Sequence, residues 1–88
     1  MSIYMVERVL PGTSIGVLEG IREATVEACH GFAADGKAIR YLRSTFTPGE
    51  SRCRCLFEAA NSDLVRELND AAQLPYSRIM LAIDMAGP

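Results

Sequence analysis

The sequence lacks the features that mark membrane, secreted and nucleic-acid-binding proteins. No apolar run approaches the roughly 18–20 residues that a membrane span requires, and no basic segment followed by an apolar stretch opens the chain. The 9 basic and 11 acidic residues are well mixed and give a net charge of −2. We therefore predict neither a signal peptide nor a membrane or nucleic-acid partner.

Cysteine is scarce, and common catalytic motifs are missing. The three cysteines are an odd number, which fits a reducing, cytoplasmic compartment better than a disulfide framework. The sequence has no glycine-rich phosphate loop, no nucleophile elbow and no Cys-x-x-Cys pair. Its 88 residues predict one domain, 1–88, whose thin core favours pairing with a second copy of the chain.

Hydrophobic patterning predicts six elements. Strands are indicated by apolar and β-branched residues at 3–9, 38–46, 52–59 and 78–85. Ser14 can cap a helix over 15–34, and Asn61 or Ser62 can cap a second helix that ends at Leu74-Pro75. The order β-α-β-β-α-β is that of the ferredoxin-like α+β fold. It predicts a four-stranded antiparallel sheet with the first and third strands at its centre.

The predicted sheet has one face without a cover, since both helices of this fold pack on the other face. Apolar residues occur on both faces of the fourth strand, where Ile79, Leu81 and Ile83 alternate with Met80 and Ala82. A small monomer with that much exposed apolar area would tend to associate. We therefore expect a homodimer through the open face, giving a dimeric α/β barrel.

Two cysteines stand two residues apart in the third strand. Cys53 and Cys55 share one face, about 6.5–7 Å apart along the strand, so a disulfide would be strained and one metal ion would reach both only if the strand bent. Three interpretations stay open: buried core thiols, ligands of a metal or other soft group, and a reactive thiol. His30, near the end of the first helix, is a further candidate metal ligand or a surface histidine.

Ionisable residues within the strands supply the other candidates. Glu7 is either paired with an arginine of a neighbouring strand or an acid/base group in a cavity. Tyr41 is the second candidate acid/base group, and Ser44, Arg43 and Glu58 are candidate ligand-binding residues. Because Tyr41 and Ser44 are three apart, strict alternation places them on opposite faces, so at most one shares a face with Glu7.

Short motifs extend along most of the chain. They comprise a Val-Glu-Arg in the first strand, an aromatic residue followed by a serine in the second, and a cysteine–aromatic–Glu-Ala run in the third, here Val6-Glu7-Arg8, Tyr41 with Ser44, and Cys55, Phe57, Glu58 and Ala59. The sequence resembles a family of small bacterial ferredoxin-like proteins, many known only as a domain of unknown function. The family is also named after a nickel-binding member that acts as a dimer. The resemblance implies the ferredoxin-like fold and nickel or another transition metal as ligand.

These observations support three functional hypotheses. The first is a dimeric binding protein for a transition metal, nickel by resemblance, or for a small organic ligand. The second is a cofactor-free enzyme of the dimeric α/β barrel kind, such as a monooxygenase, isomerase or cyclase, using Glu7 or Tyr41. The third is an interaction module without chemistry.

Overall fold

The computed structural model describes residues 1–87 and has the six predicted elements in the predicted order. Their bounds are β1 (Ser2–Val9), α1 (Ile15–Ala34), β2 (Ile39–Thr47), β3 (Arg52–Ala59), α2 (Ser62–Ala71) and β4 (Arg78–Ala82). A short 3-10 turn, Pro48–Glu50, joins β2 to β3 where the sequence predicted a turn.

The sheet has the strand order β2-β3-β1-β4, and its neighbouring strands are antiparallel. This confirms the predicted α+β, ferredoxin-like architecture, with β1 and β3 in the middle. Because β1 and β3 each have a neighbour on both sides, their residues are the most enclosed in the sheet.

Side-chain caps fix where the helices begin. Ser14 accepts a hydrogen bond from the Val17 amide (3.2 Å), and Asn61 accepts one from the Leu64 amide (2.9 Å). Gly36 follows α1 in the left-handed region (φ +78°), a conformation that glycine adopts without steric cost. Within residues 1–87, no helix is long and apolar enough to cross a membrane.

The core lies between the two helices and one face of the sheet. Its fully enclosed apolar side chains come from β1, β3 and α2 and are Val6, Phe57, Ala59, Val65 and Leu68. Cys53 and Cys55 of β3 point into this same layer, while Arg54, Leu56 and Glu58 alternate onto the other face. We call the face that packs against the helices the covered face, and the opposite face the open face.

Two elements end earlier than predicted. β4 stops at Ala82 rather than at residue 85, and Asp84 forms an ion pair with Arg43 of β2. Since β2 and β4 are opposite edges of the sheet, the chain after Ala82 must turn across the open face for this contact. Helix α2 stops at Ala71 rather than at Leu74, because Gln73 adopts a positive φ (56°) that a helix does not continue.

Candidate functional site

A β-bulge in β2 brings Tyr41 and Ser44 onto the same face of the sheet. Tyr41 and Arg43 oppose consecutive residues of β3, so Leu42 is the extra residue. The Tyr41 hydroxyl lies 2.6 Å from Ser44 Oγ. The prediction that these residues lie on opposite faces was therefore wrong, because strict alternation does not hold across a bulge. Both lie on the covered face, away from Glu7.

The sulfur atoms of Cys53 and Cys55 are close together beneath the helices. Their Sγ atoms are 3.8 Å apart, and the side chains are 4% and 1% exposed. Ser44 Oγ donates a hydrogen bond to Cys55 Sγ over 2.9 Å. The strand rise fixes the backbone spacing at about 6.5–7 Å, but the side chains lean towards each other and shorten the distance between the sulfurs. The two thiols and the Ser44 hydroxyl thus form one contiguous group.

Arg8 lies in this layer, on the covered face of β1 and opposite Cys53. Its side chain is fully buried, with hydrogen bonds to Asn69 Oδ1 (2.7 Å) and the Pro75 carbonyl (2.9 Å). Among residues 1–87 no carboxylate forms an ion pair with Arg8, and its Nε has no hydrogen-bond partner. A buried charge is normally paired, so this arginine needs a counter-charge of another kind.

The environment of the two thiols favours a thiolate on Cys55. The hydrogen bond from Cys53 lowers the pKa of Cys55, burial opposes it, and the Arg8 charge and the Ser44 hydroxyl lower it further. The same bond between the thiols, together with burial, raises the pKa of Cys53. Burial raises the pKa of Tyr41, which keeps its hydroxyl protonated as a donor to Ser44. Both shifts favour a single proton on the pair, held on Cys53, with the Cys55 thiolate beside the Arg8 charge.

A cavity of about 200 Å³ leads to this pair from the surface. It lies between the first half of α1 and the end of β2, with Leu18, Ile21 and Phe46 as its apolar walls. Cys53 and Ser44 form part of its lining. A small ligand or ion in this cavity can therefore approach the pair from the side of Cys53.

Glu7 lies on the open face of the central strand β1 and is 2% exposed. Its carboxylate contacts Arg52 (2.7 Å), Arg78 (3.3 Å) and Arg54 (3.4 Å). Burial on its own would raise the pKa of Glu7, but the hydrogen bond and charge of Arg78 and the charges of Arg52 and Arg54 outweigh it, and the pKa is lowered. This environment matches the interpretation of Glu7 as a member of an ion pair with arginines of neighbouring strands, and not that of an acid/base group in a cavity.

The remaining predicted residues lie apart from the thiols. His30 is exposed and borders a separate depression of about 290 Å³, and residues 1–87 hold no group of three or more His, Cys, Asp or Glu side chains that could bind a metal ion. Arg43 pairs with Asp84, and Glu58 pairs with Arg40 (3.1 Å), in both cases on the open face. The structure thus brings four of the predicted residues together, namely Tyr41, Ser44, Cys53 and Cys55. The other four, His30, Arg43, Glu58 and Glu7, lie elsewhere.

Arg8 is the site residue that reasoning from the sequence missed. It belongs to the Val-Glu-Arg motif, and its alternation with Tyr4 and Val6 assigns it to the same face as those residues. An arginine in register with core residues is the signal that was available. Identifying its neighbours required the packing of α2 and the segment after it against the sheet.

Comparison with known proteins gives the family. A model described as "Nickel responsive protein SCO4226-like" matches residues 4–81. The chain belongs to this family. The solved structure of SCO4226 from Streptomyces coelicolor A3(2) superposes with a TM-score of 0.78 at 14% identity, covering 97% of this chain and 100% of that one. At this identity the likeness shows the fold. A search of curated proteins gave no match.

Proposed function

We propose that this protein binds a transition-metal ion through the sulfurs of Cys53 and Cys55. The observation that carries the proposal is their separation of 3.8 Å. Two sulfurs that share one tetrahedral ion at a metal–sulfur distance of about 2.3 Å are about 3.8 Å apart. The thiols therefore need little rearrangement to hold an ion, and the cavity beside Cys53 provides a path of entry.

The family description makes nickel the first metal to test, and the donors of one chain fit nickel only in part. Divalent nickel favours four or more donors in tetragonal sites of nitrogen and oxygen. The thiol pair offers two sulfurs, and within residues 1–87 no third His, Cys, Asp or Glu joins them. A nickel ion at this site would need donors from solvent or from a second copy of the chain.

We further propose that the working unit is a homodimer formed through the open face. Cross-strand neighbours Met5, Leu56 and Met80 form an apolar row there, and each is only partly buried. The segment that crosses the face exposes Ile83 (87%) and Met85 (86%). Apolar area of this extent, surrounded by ion pairs, is typical of a protein interface.

The metal-binding proposal is tested by titrating metal-free protein with nickel and zinc, in buffer reduced with a phosphine, by calorimetry. We expect one ion per chain or per dimer, with binding lost in Cys53→Ser and in Cys55→Ser. Cys29→Ser is the matched control, because Cys29 is also buried but stands outside the pair and burial raises its pKa. Equal loss in all three variants, or a wild type that binds neither nickel nor zinc, nor Cu(I) titrated in the same way without oxygen, would reject the proposal and favour the interaction-module hypothesis.

The dimer proposal is tested by sedimentation equilibrium. The double variant Ile83→Lys, Met85→Lys should sediment as a monomer, because it introduces two charges into the interface. Ile15→Lys is the control, since Ile15 is 75% exposed on α1, over the covered face. A monomeric wild type, or a dimer that only the Ile15 variant dissociates, would contradict the open-face interface.

The enzyme hypothesis gains no support from Glu7. A general base must be free to accept a proton near the working pH, whereas three arginines hold Glu7 as a carboxylate and lower its pKa. Tyr41 is protonated and commits its hydroxyl to Ser44. We therefore assign Tyr41 and Ser44 to positioning the Cys55 sulfur within the metal site.

A further inference from the structure

The charge around the thiol pair distinguishes between classes of metal ion. Arg8 carries one positive charge and is fully buried, and no carboxylate among residues 1–87 pairs with it. Two metal-bound thiolates, from Cys53 and Cys55, carry two negative charges. The three side chains together therefore carry a single negative charge.

A monovalent ion makes this buried group neutral, whereas a divalent ion leaves a net positive charge in the core. A net charge away from water is strongly disfavoured unless a counter-ion lies beside it. The nearest other polar groups on Arg8 are the Asn69 amide and the Pro75 carbonyl, which are neutral. The unpartnered Arg8 Nε shows that this side chain still has a donor to satisfy.

The number and type of donors point to the same class. Thiolate sulfur is a soft ligand that selects soft ions such as Cu(I), and Cu(I) is stable with as few as two thiolates. Sulfurs 3.8 Å apart subtend about 110–120° at an ion that lies about 2.2–2.3 Å from each, which is the angle of a three-coordinate ion and not of a linear two-coordinate one. Ser44 Oγ, 2.9 Å from Cys55 Sγ, is the nearest oxygen for a third position.

We propose that Cys53 and Cys55 form a site for the soft monovalent ion Cu(I), and that Arg8 selects against divalent ions by its buried charge. The proposal rests on the proposed function to the extent that the thiol pair binds metal. It goes beyond that function in naming the metal, which differs from the nickel of the family description, and in giving Arg8 a role in selection.

The experiment measures Cu(I), Zn(II) and Ni(II) binding separately, each in competition with a chromophoric chelator and without oxygen. We expect one Cu(I) per chain, bound more tightly than either divalent ion, and lost in Cys53→Ser and Cys55→Ser but retained in Cys29→Ser. X-ray absorption of the copper form should show two sulfur neighbours. Tight divalent binding with weak Cu(I) binding would overturn this proposal and leave the proposed function standing, whereas no binding of any of the three ions would overturn both.

The role of Arg8 is tested by the ratio of Cu(I) to Zn(II) affinity, because thiolates favour Cu(I) even without it. Arg8→Met should narrow this ratio by at least about tenfold by removing the cation beside the ion, and Arg8→Lys should largely keep it. Circular dichroism establishes that each variant is folded. If Arg8→Met does not fold, Arg8→Gln takes its place and the Lys variant serves as the charge-retaining control. An unchanged ratio in a folded neutral variant would overturn the selection by Arg8.

Discussion

Adjacent residues of β1, Glu7 and Arg8, are both buried but balance their charges in opposite ways. Glu7 faces the open side, where three arginines surround one carboxylate. Arg8 faces the covered side, where no carboxylate among residues 1–87 pairs with it and the nearest ionisable groups are thiols. Around Glu7 the arginines therefore outnumber the carboxylate, whereas on the covered face Arg8 has no carboxylate partner among residues 1–87.

This difference separates a stabilising cluster from a binding site. The arginines around Glu7 are long, and their side chains remain 30–58% exposed, so water contributes to balancing their charge. The Arg8 guanidinium has no access to water, and its charge is balanced only by what the core provides. A thiolate or a metal–thiolate group can balance the Arg8 charge. We therefore expect metal binding on the covered face.

The largest effect is expected on removing the buried cation. Arg8→Ala should lower the free energy of unfolding by about 3–5 kcal/mol, because it leaves a cavity and two unpaired acceptors, on Asn69 and Pro75. Urea denaturation measures the loss. Arg40→Ala, on the open face in an exposed pair with Glu58, is the control and should change stability by about 1 kcal/mol or less. Equal losses of unfolding free energy in the two variants would contradict the expectation that the buried cation on the covered face matters more than an exposed ion pair on the open face.

A smaller, pH-dependent effect is expected at Glu7. Since the folded-state pKa is lowered from 4.5, the ion pairs contribute stability that is fully present above that value and is lost as the pH falls through the folded pKa. Glu7→Gln should reduce stability at neutral pH by less than Arg8→Ala and should flatten the decline below about pH 4.5. Thermal unfolding from pH 7 to pH 2 measures both, with Glu58→Gln as the control, because Glu58 pairs with the single arginine Arg40. An unchanged decline in Glu7→Gln would show that other carboxylates cause it.

A modest effect on stability and a clear effect on the thiols are expected at Ser44. Ser44→Ala removes two hydrogen bonds, with Tyr41 and with Cys55, and because Ser44 is exposed the loss should cost only about 0.5–1.5 kcal/mol in total. It should also raise the pKa of Cys55, because the hydroxyl donates to its thiolate form. Thiolate absorbance in the ultraviolet, followed against pH, measures the shift, with Thr45→Ala on the open face as the neighbouring control. A pKa unaltered by the loss of Ser44 would exclude its positioning role.

The smallest effect is expected where the terminal segment meets β2. Asp84→Asn weakens one ion pair with Arg43 at the surface and should change the free energy of unfolding by about 0–1 kcal/mol. The same denaturation measurement applies, with Asp63→Asn on α2 as the control pair. A loss above about 2 kcal/mol would show that this segment is an integral cover of the open face.

The order of the six elements was sufficient to predict the fold and the central position of β1 and β3. The shared face of Cys53 and Cys55 followed from side-chain alternation along β3, a period of two residues that the sequence displays directly. The same rule failed at Tyr41 and Ser44, because a bulge depends on how β2 aligns with β3 and not on β2 alone. It also extended β4 too far, since the turn after Ala82 depends on a contact with the opposite edge of the sheet.

The sequence by itself determined the elements, their order and which thiols lie side by side on β3. The tertiary structure decided that the two sulfurs are 3.8 Å apart, that Ser44 reaches Cys55, and that Arg8 is buried without a carboxylate. The physical reason is that side-chain rotamers and charge balance depend on neighbours far away in the chain, such as Asn69, which is 61 residues from Arg8. Outside a bulge, local pattern determines the face on which a side chain lies, and packing determines which groups it contacts.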